Sequence, residues 1–139
     1  MIVCKYNKFN DFVSIVNTIR CKNFLDKNKI YYNLSVLDKY KKLDYKKLVS
    51  DLEGEIKKYE EILDNQKYQV YLSKFGAFGS YKLPNKIYIN IQRETDEIVK
   101  TILHEIVHLQ IEEKVVEQGL KWEQKEKLVN SILEHYSIK

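Results

Sequence analysis

The sequence predicts a single α+β domain, and three features of the chain support this class. Helical patterns fill the first half, alternation with period two is confined to residues 69–91, and two further helical patterns follow. With 139 residues, of which 44% are hydrophobic, the chain can fill one core but hardly two. One Pro and four Gly leave no room for a flexible linker. We therefore expect residues 1–139 to form one domain, helical over 1–66 and mixed over 67–139.

The first half is predicted to be helical. From Asn10 to Arg20, apolar residues recur at steps of three and four, and Asn10 or Asp11 can cap the helix. The same pattern returns from Leu34 to Leu63, with a break near Lys42–Tyr45. It indicates one or two charged helices that lie on the surface.

The predicted sheet lies in the middle of the chain. A strand begins at Gln69, Gly76–Leu83 can run extended, and Pro84-Asn85 can turn the chain. Polar and apolar residues then alternate over Lys86–Ile91, as in a strand with one buried face. The last two segments therefore predict a β-hairpin, and we expect a small, mainly antiparallel sheet.

Two helices are predicted to complete the domain. Thr95 can cap the first, and Asp96 and Glu97 suit the positive end of its dipole. This helix is apolar on more than one face, which predicts burial, and Gly119 can end it. The second runs roughly over residues 121–136 and is expected to bury Trp122, Leu128, Val129, Ile132 and Leu133.

Charge and composition exclude several classes of function. The net charge of +4 is small and comes almost entirely from dispersed Lys, while Arg20 and Arg93 are the only arginines. A nucleic-acid binder would be richer in Arg, so only a weak preference for acidic partners follows. The first residues lack the apolar run of a signal peptide, and no later stretch can cross a bilayer. We expect a cytoplasmic protein without nucleic-acid or membrane partners.

The residues best suited to chemistry are His104, Glu105 and His108 on the long helix. The histidines are four apart, so both imidazoles lie on one face, one turn apart, where they can bind a single ion. Glu105 is placed to take a proton from water activated by that ion. Because the helix is expected to be buried, these polar groups need partners that offset desolvation. The spacing predicts a Zn²⁺ site with two histidine ligands and Glu105 as the general base.

A catalytic zinc needs a third protein ligand and an open position. The five residues after His108 contain neither Gly nor His, which excludes the pattern in which a third His follows closely. The final helix offers Glu123 and Glu126. Helical phase does not separate these two, because both lie close to the same apolar stripe.

The string His104–Leu109, followed by Trp122–Asn130, resembles the gluzincin metallopeptidases, and the size and the Trp-Glu-x-Lys-Glu run resemble the minigluzincins. The resemblance extends from Gly76 to Glu134. It implies that Glu126 is the third zinc ligand. It also puts Asn130 where the family usually has an Asp that holds a ligand imidazole. Asn lacks the charge that raises ligand basicity, so a lower zinc affinity or turnover is expected.

The same resemblance implies a zinc-dependent endopeptidase acting on a peptide or protein substrate, with the catalytic core in residues 67–139. In gluzincins the strand before the hairpin turn is the sheet edge over the cleft, and the substrate pairs with it. Gly76, Ala77 and Phe78 match that place and are the expected substrate contacts. His135 and Tyr136 are candidates for the group that stabilises the oxyanion, and the sequence does not distinguish between them.

Two alternatives stay open at this point. Minigluzincins are latent zymogens, so the helical segment from Asn10 to Leu63 could cover the cleft, with self-inhibition by a terminal segment or by a homodimer. The site would then be that of a catalytically silent zinc protein. The other alternative is a Lys-rich helical interaction or regulatory module, including peptidase-like domains that act on a transcriptional repressor, in which the His-Glu-x-x-His spacing arose by chance.

Overall fold

A computed structural model describes residues 1–6, 8–20 and 43–138 of the chain. This part is α+β, as predicted. Its helices are α1 (Lys8–Arg20), α2 (Tyr45–Ile56), α3 (Thr95–Glu117) and α4 (Trp122–His135), with a short 3-10 helix at Lys57–Tyr59. Its strands are β1 (Ile2–Tyr6), β2 (Tyr68–Ser73), β3 (Gly79–Lys82) and β4 (Lys86–Asn90). The predicted helical segment from Leu34 starts outside the described residues.

The four strands form one mixed sheet in the order β1-β2-β4-β3. β1 pairs with β2 and β2 with β4 in parallel, and only β3 and β4 are antiparallel. The prediction of a mainly antiparallel sheet is therefore wrong. A hairpin is visible in the sequence because its turn is local, whereas parallel strands are joined by long crossovers that leave no local signal.

The strand Ile2–Tyr6 corrects the expectation that residues 1–66 are helical throughout. It pairs with β2 from Ile2 opposite Tyr68 to Tyr6 opposite Leu72. Only one of the five side chains in this strand is buried, that of Cys4. The alternation of buried and exposed residues is therefore too weak to predict a strand from the sequence. The first residues of the chain are thus part of the sheet.

The predicted hairpin is confirmed as β3 and β4, with Gly79 opposite Ile89 and Lys82 opposite Lys86. In β4 the side chains of Ile87 and Ile89 are buried, as the alternation predicted. β3 lies at one edge of the sheet that the described residues form.

The core lies between the sheet and the long helix α3. Four residues of α3 are fully buried, namely Ile102, Leu103, Ile106 and Val107, which confirms that this helix is apolar on more than one face. From α4, Val129 and Leu133 join the same core cluster. Trp122 is 73% exposed, so its predicted burial is wrong. Trp122 is the first residue of α4, and the first turn of a helix can extend beyond the core.

The two described helices of the first half contact the strands β1 and β2. Asp11 of α1 accepts hydrogen bonds from Ser73 Oγ at 3.0 Å and from the Lys74 backbone N–H at 2.8 Å. In α2, Glu53 Oε1 accepts the backbone N–H of Cys4 at 3.0 Å. Among the residues that the structure describes, no helix combines the length and the apolar character needed to cross a membrane.

Candidate metal centre

Three side chains from two helices converge on one point. His104 and His108 lie one turn apart on α3, and their Nε2 atoms are 3.0 Å apart. Glu126 of α4 comes within 3.5 Å of His104 Nε2 and 3.1 Å of His108 Nε2. Spacing predicted the two histidines and the resemblance implied Glu126, and together the three residues form a group that could hold an ion.

The distances suit zinc. Ligand atoms about 2.05 Å from a tetrahedral ion lie about 3.3–3.4 Å from one another. The two Nε2 atoms are 3.0 Å apart, and the Glu126 carboxylate reaches them with different oxygens, Oε1 at 3.1 Å from His108 and Oε2 at 3.5 Å from His104. Two histidines and one glutamate are a donor set of catalytic zinc sites, which leave the fourth position open. The residues present therefore fit the metal that the sequence predicted.

The position of α4 separates the two glutamates that helical phase left open. Glu123 lies in the first turn of α4 and is exposed, whereas Glu126 is half-buried and faces the histidines. Glu123 is not part of the group that could hold an ion. This placement supports Glu126 as the third ligand.

Burial favours the neutral, metal-binding form of both imidazoles. It lowers the pKa of His104, against a smaller opposing effect of the Glu126 carboxylate. It lowers the pKa of His108 to about 4, with a further lowering by His104 and an opposing effect of Glu126. No described group hydrogen-bonds the buried His108 Nδ1. Its ring instead stacks on Tyr81, with 5.3 Å between centroids and 13° between planes, so packing orients this imidazole.

Glu105 is only 8% exposed and lies beside the cluster. The pKa of its carboxyl is raised to about 7, chiefly by burial and also by the Glu126 carboxylate, against an opposing effect of Lys125. Its Oε1 lies against the main chain of β3, because a Cβ atom at Gly79 would be only 2.5 Å away. The absence of a side chain at Gly79 thus lets the carboxylate approach the edge strand.

A second polar group, not anticipated from the sequence, adjoins the histidines. Tyr81 donates a hydrogen bond to Glu112 Oε2 at 2.7 Å, and Lys125 Nζ lies 2.6 Å from the same oxygen. Lys125 also hydrogen-bonds the Tyr81 hydroxyl. The sequence could have indicated two members of this group. Glu112 follows His108 by one turn of α3, and Lys125 directly precedes Glu126. The role of Tyr81 depends on the sheet and had no local signal.

Two cavities flank the site. The larger has a volume of about 830 Å³ and lies between Phe78, the first half of α3 and the end of α4. The smaller, of about 310 Å³, is bounded by β3, His108 and the first turns of α4. Gly79, His104 and Glu105 line both. The cleft therefore runs along the edge strand, with the candidate general base at its middle.

Two other predicted site residues are less well placed. Asn130 is exposed and lines the larger cavity together with His104, but no hydrogen bond joins the two in the described part of the chain. His135 is exposed, packs against Tyr136 and lines neither cavity. The structure therefore does not bring His135 or Tyr136 to the cavities, whereas Tyr81 and Lys125 line the smaller one.

The three predicted substrate contacts differ in their surroundings. Gly76 adopts a positive φ of 91°, and its carbonyl accepts a hydrogen bond from Asn90 Nδ2 at 3.0 Å. Ala77 is exposed and lines neither cavity. Phe78 lines the larger cavity, but its carbonyl accepts the Asn90 backbone N–H at 3.1 Å. The carbonyls of Gly76 and Phe78 are therefore already hydrogen-bonded to Asn90 and are not free to bond to a peptide.

The hydrogen-bond register identifies better candidates. Residues of an antiparallel pair bond to their partner strand at every second position. The Phe78 carbonyl bonds to β4. The main-chain groups of Phe78, Ser80 and Lys82 therefore point toward β4. The main-chain N–H and C=O groups of Gly79 and Tyr81 then point away from β4, toward the free edge. Sequence alone could not give this register, because it depends on which residues pair.

The chain was compared with protein-family models, with curated proteins and with solved structures, and none of the three comparisons gave a match. The resemblance to the minigluzincins therefore stays a prediction. The candidate function is defined by the geometry of His104, Glu105, His108 and Glu126.

Proposed function

We propose that this protein is a zinc-dependent endopeptidase of the gluzincin type. The observation that carries the proposal is the convergence of His104 Nε2, His108 Nε2 and the Glu126 carboxylate within 3.5 Å beside the buried Glu105. When bound in such a site, zinc acts as a Lewis acid and activates water at neutral pH. The ion is proposed from the donor set, and the cytoplasmic location belongs to the same proposal.

Glu105 has the properties of the general base. A group that takes a proton and later returns it works best with a pKa near the operating pH. In the metal-free protein burial raises the Glu105 pKa to about 7, and the positive charge of a bound ion would lower it from there, which leaves the carboxylate able to accept a proton at neutral pH. Glu105 would take the proton of the attacking water and deliver it to the leaving amine.

The free edge of β3 suits an extended peptide. An added strand hydrogen-bonds the outward main-chain groups of an edge strand, while its side chains enter pockets on either side. In this protein the outward groups are those of Gly79 and Tyr81. A peptide bonded there passes beside Glu105, with the two cavities receiving its neighbouring side chains.

Lys125 is the best-placed donor for the developing oxyanion, because its ammonium has three N–H groups and the contacts with Glu112 and Tyr81 use two of them. It lines the smaller cavity with His108 and Glu126, whereas the Tyr81 hydroxyl already donates its proton to Glu112. The Lys125 ammonium is held by Glu112, and the contacts with Glu112 and Tyr81 raise its pKa against the effect of burial, so it stays charged at neutral pH. A fixed positive group that already has its partners in place needs little reorganisation during the reaction.

The described first half of the chain gives no support to self-inhibition. None of the described residues among 1–66 lines either cavity. The first strand instead belongs to the opposite edge of the sheet from β3. Residues 21–42 of the predicted covering segment lie outside the described residues, and we propose the peptidase on the geometry of Glu105 and the three candidate ligands.

The test combines metal content with cleavage. Zinc per chain would be measured in the wild type and in Glu126→Gln, with Glu123→Gln as the matched control on the same helix. We expect one zinc in the wild type and the control, and at least a tenfold to hundredfold lower affinity in Glu126→Gln, since a ligand matters at least as much as its supporting residues. Glu105→Gln should keep the zinc and lose about 10²–10⁴ in the rate of peptide cleavage.

Two results would contradict the proposal. A wild-type protein that binds no zinc under saturating conditions would exclude the metal centre. Zinc binding with cleavage that does not depend on Glu105 would leave the site without the proposed chemistry.

A further inference from the structure

We propose that the larger cavity is a subsite for a carboxylate of the peptide, held by Arg93 and Lys100. The carboxylate would be an Asp or Glu side chain or the free C-terminus. This inference rests on the proposed function and names its substrate class. It is carried by two cations that line the cavity and form no ion pair with any described acidic group.

Arg93 is held in position by an aromatic ring. Its guanidinium carbon lies 3.5 Å from the centroid of the Phe78 ring, which is 54% exposed. Stacking fixes the plane of the guanidinium but leaves its N–H donors free in that plane, where they can meet a carboxylate with two hydrogen bonds. Arg93 makes no ion pair with any described residue. A pre-oriented donor without a partner is what an anionic ligand requires.

Lys100 supplies the second charge. It precedes His104 by four residues, so it lies on the same face of α3, one turn from the metal centre. It is exposed, lines the larger cavity and forms no ion pair with the residues that the structure describes. A carboxylate in this cavity would thus meet two positive groups beside the proposed site of cleavage.

The remaining walls fit the rest of an acidic side chain. Leu133 and Ile138 are buried apolar residues on the α4 side and can pack against its methylene groups. Glu134 also lines the cavity from α4, but it is exposed and forms no ion pair with either cation. Its charge would keep a bound carboxylate toward Arg93 and Lys100.

The smaller cavity lacks such free charge. Its cation, Lys125, lies 2.6 Å from Glu112 and also bonds to Tyr81, so its charge is already compensated. The preference for a carboxylate should therefore apply on one side of the cleaved bond only. This asymmetry distinguishes a subsite from a general attraction of the basic chain for acidic peptides.

The first experiment measures kcat/KM for pairs of internally quenched peptides that differ by Glu against Gln at each of three positions on either side of the cleaved bond. We expect a five- to tenfold preference for Glu on one side, the size of one or two partly exposed ion pairs. Peptides with a free or an amidated C-terminus separate a side-chain carboxylate from a terminal one. The preference should vanish in Arg93→Gln/Lys100→Gln and rise in Glu134→Gln.

Two variants keep this test interpretable. Lys67→Gln removes the same charge from an exposed residue that lines neither cavity and should retain the full preference. Lys100→Gln alone changes an exposed side chain and should fold normally while losing part of the preference. A preference that is the same in the wild type, the double variant and Lys67→Gln, or no preference at any position, would overturn the subsite while leaving the peptidase intact.

The second experiment does not depend on hydrolysis. Binding of the same fluorescent Glu and Gln peptides to zinc-loaded Glu105→Gln would be followed by anisotropy, with and without the Arg93 and Lys100 substitutions. If the wild type cleaves nothing but the Glu peptide binds at least fivefold more tightly in a way that requires both cations, the subsite stands and the proposed hydrolysis fails. Equal binding of the two peptides, or none, contradicts the subsite.

Discussion

At Gly79 the main chain of β3 comes so close to α3 that an added Cβ atom would lie 2.5 Å from both Glu105 Oε1 and the Thr101 methyl group. The carboxylate can move, since it ends a flexible side chain. The branched Thr101 side chain is much stiffer. A methyl group at position 79 must therefore displace the general base, the edge strand or both.

We predict that Gly79→Ala lowers kcat/KM for peptide cleavage by about tenfold to a hundredfold, because small misplacements of reacting groups have effects of this size. Zinc content should stay at one per chain, since the three atoms nearest to the added Cβ belong to Glu105 and Thr101 and neither is a proposed metal ligand. Gly54→Ala is the matched control. Nothing lies within 4 Å of a Cβ atom there, and the site is inside α2, so it should stabilise the fold by about 0.5–1 kcal/mol. Equal activity of the two variants would disprove the close approach.

Among the elements, β1 and β3 occupy opposite edges of the sheet and have different roles. β3 has a free edge beside the cleft. β1 supports the fold: its five residues pair with β2 from Tyr68 to Leu72, and the amino group of Met1 donates a hydrogen bond to the Gln66 carbonyl at 2.7 Å. The N-terminal strand is therefore structural in the described part of the chain.

Deletion of residues 1–6 is predicted to destabilise the protein by about 3 kcal/mol or more, since several backbone hydrogen bonds worth about 1 kcal/mol each are lost with the buried Cys4. Urea denaturation measures this change. Cleavage of a peptide below the unfolding range should not increase. The exposed-residue variant Lys5→Ser should change stability by only about 0.5 kcal/mol. A deletion that raised cleavage with unchanged stability would show instead that these residues inhibit the site.

For the whole molecule, the buried ionisable groups make the stability of the metal-free protein depend on pH in two opposing ways. Burial raises the pKa of Glu105 from 4.5 to about 7, so between these values the folded state holds the extra proton and stability falls as pH rises. Burial lowers the pKa of His108 from 6.5 to about 4, so between these values the unfolded state holds the extra proton and stability rises with pH. Around pH 5–6 the two effects largely cancel.

Glu105→Gln removes the fall in stability with rising pH that is due to Glu105 and leaves the rise that is due to His108. We predict that the free energy of unfolding of the metal-free variant rises between pH 5 and 6 more steeply than that of the wild type, by up to about 1.4 kcal/mol per pH unit. His104, whose pKa burial also lowers, adds to the rise in both proteins. Urea unfolding in the presence of a chelator provides the measurement. Parallel stability curves for the two proteins would mean that Glu105 ionises in the folded state as it does in water.

The sequence by itself determined the features that near neighbours along the chain encode. Helical periodicity identified the buried helix α3, and the Pro84-Asn85 turn with the alternation after it identified the hairpin. The spacing of His104, Glu105 and His108 placed three groups of the candidate site on one helix, because residues four apart share a face.

Only the tertiary structure decided how separate elements meet. It paired β1 in parallel with β2, turned Glu126 rather than Glu123 toward the histidines, and brought Tyr81 against His108. It also left the main-chain groups of Gly79 and Tyr81 on the free edge of the sheet. The physical reason is that these contacts depend on strand register and helix packing, which arise from burial of the shared core and have no pattern within any one segment.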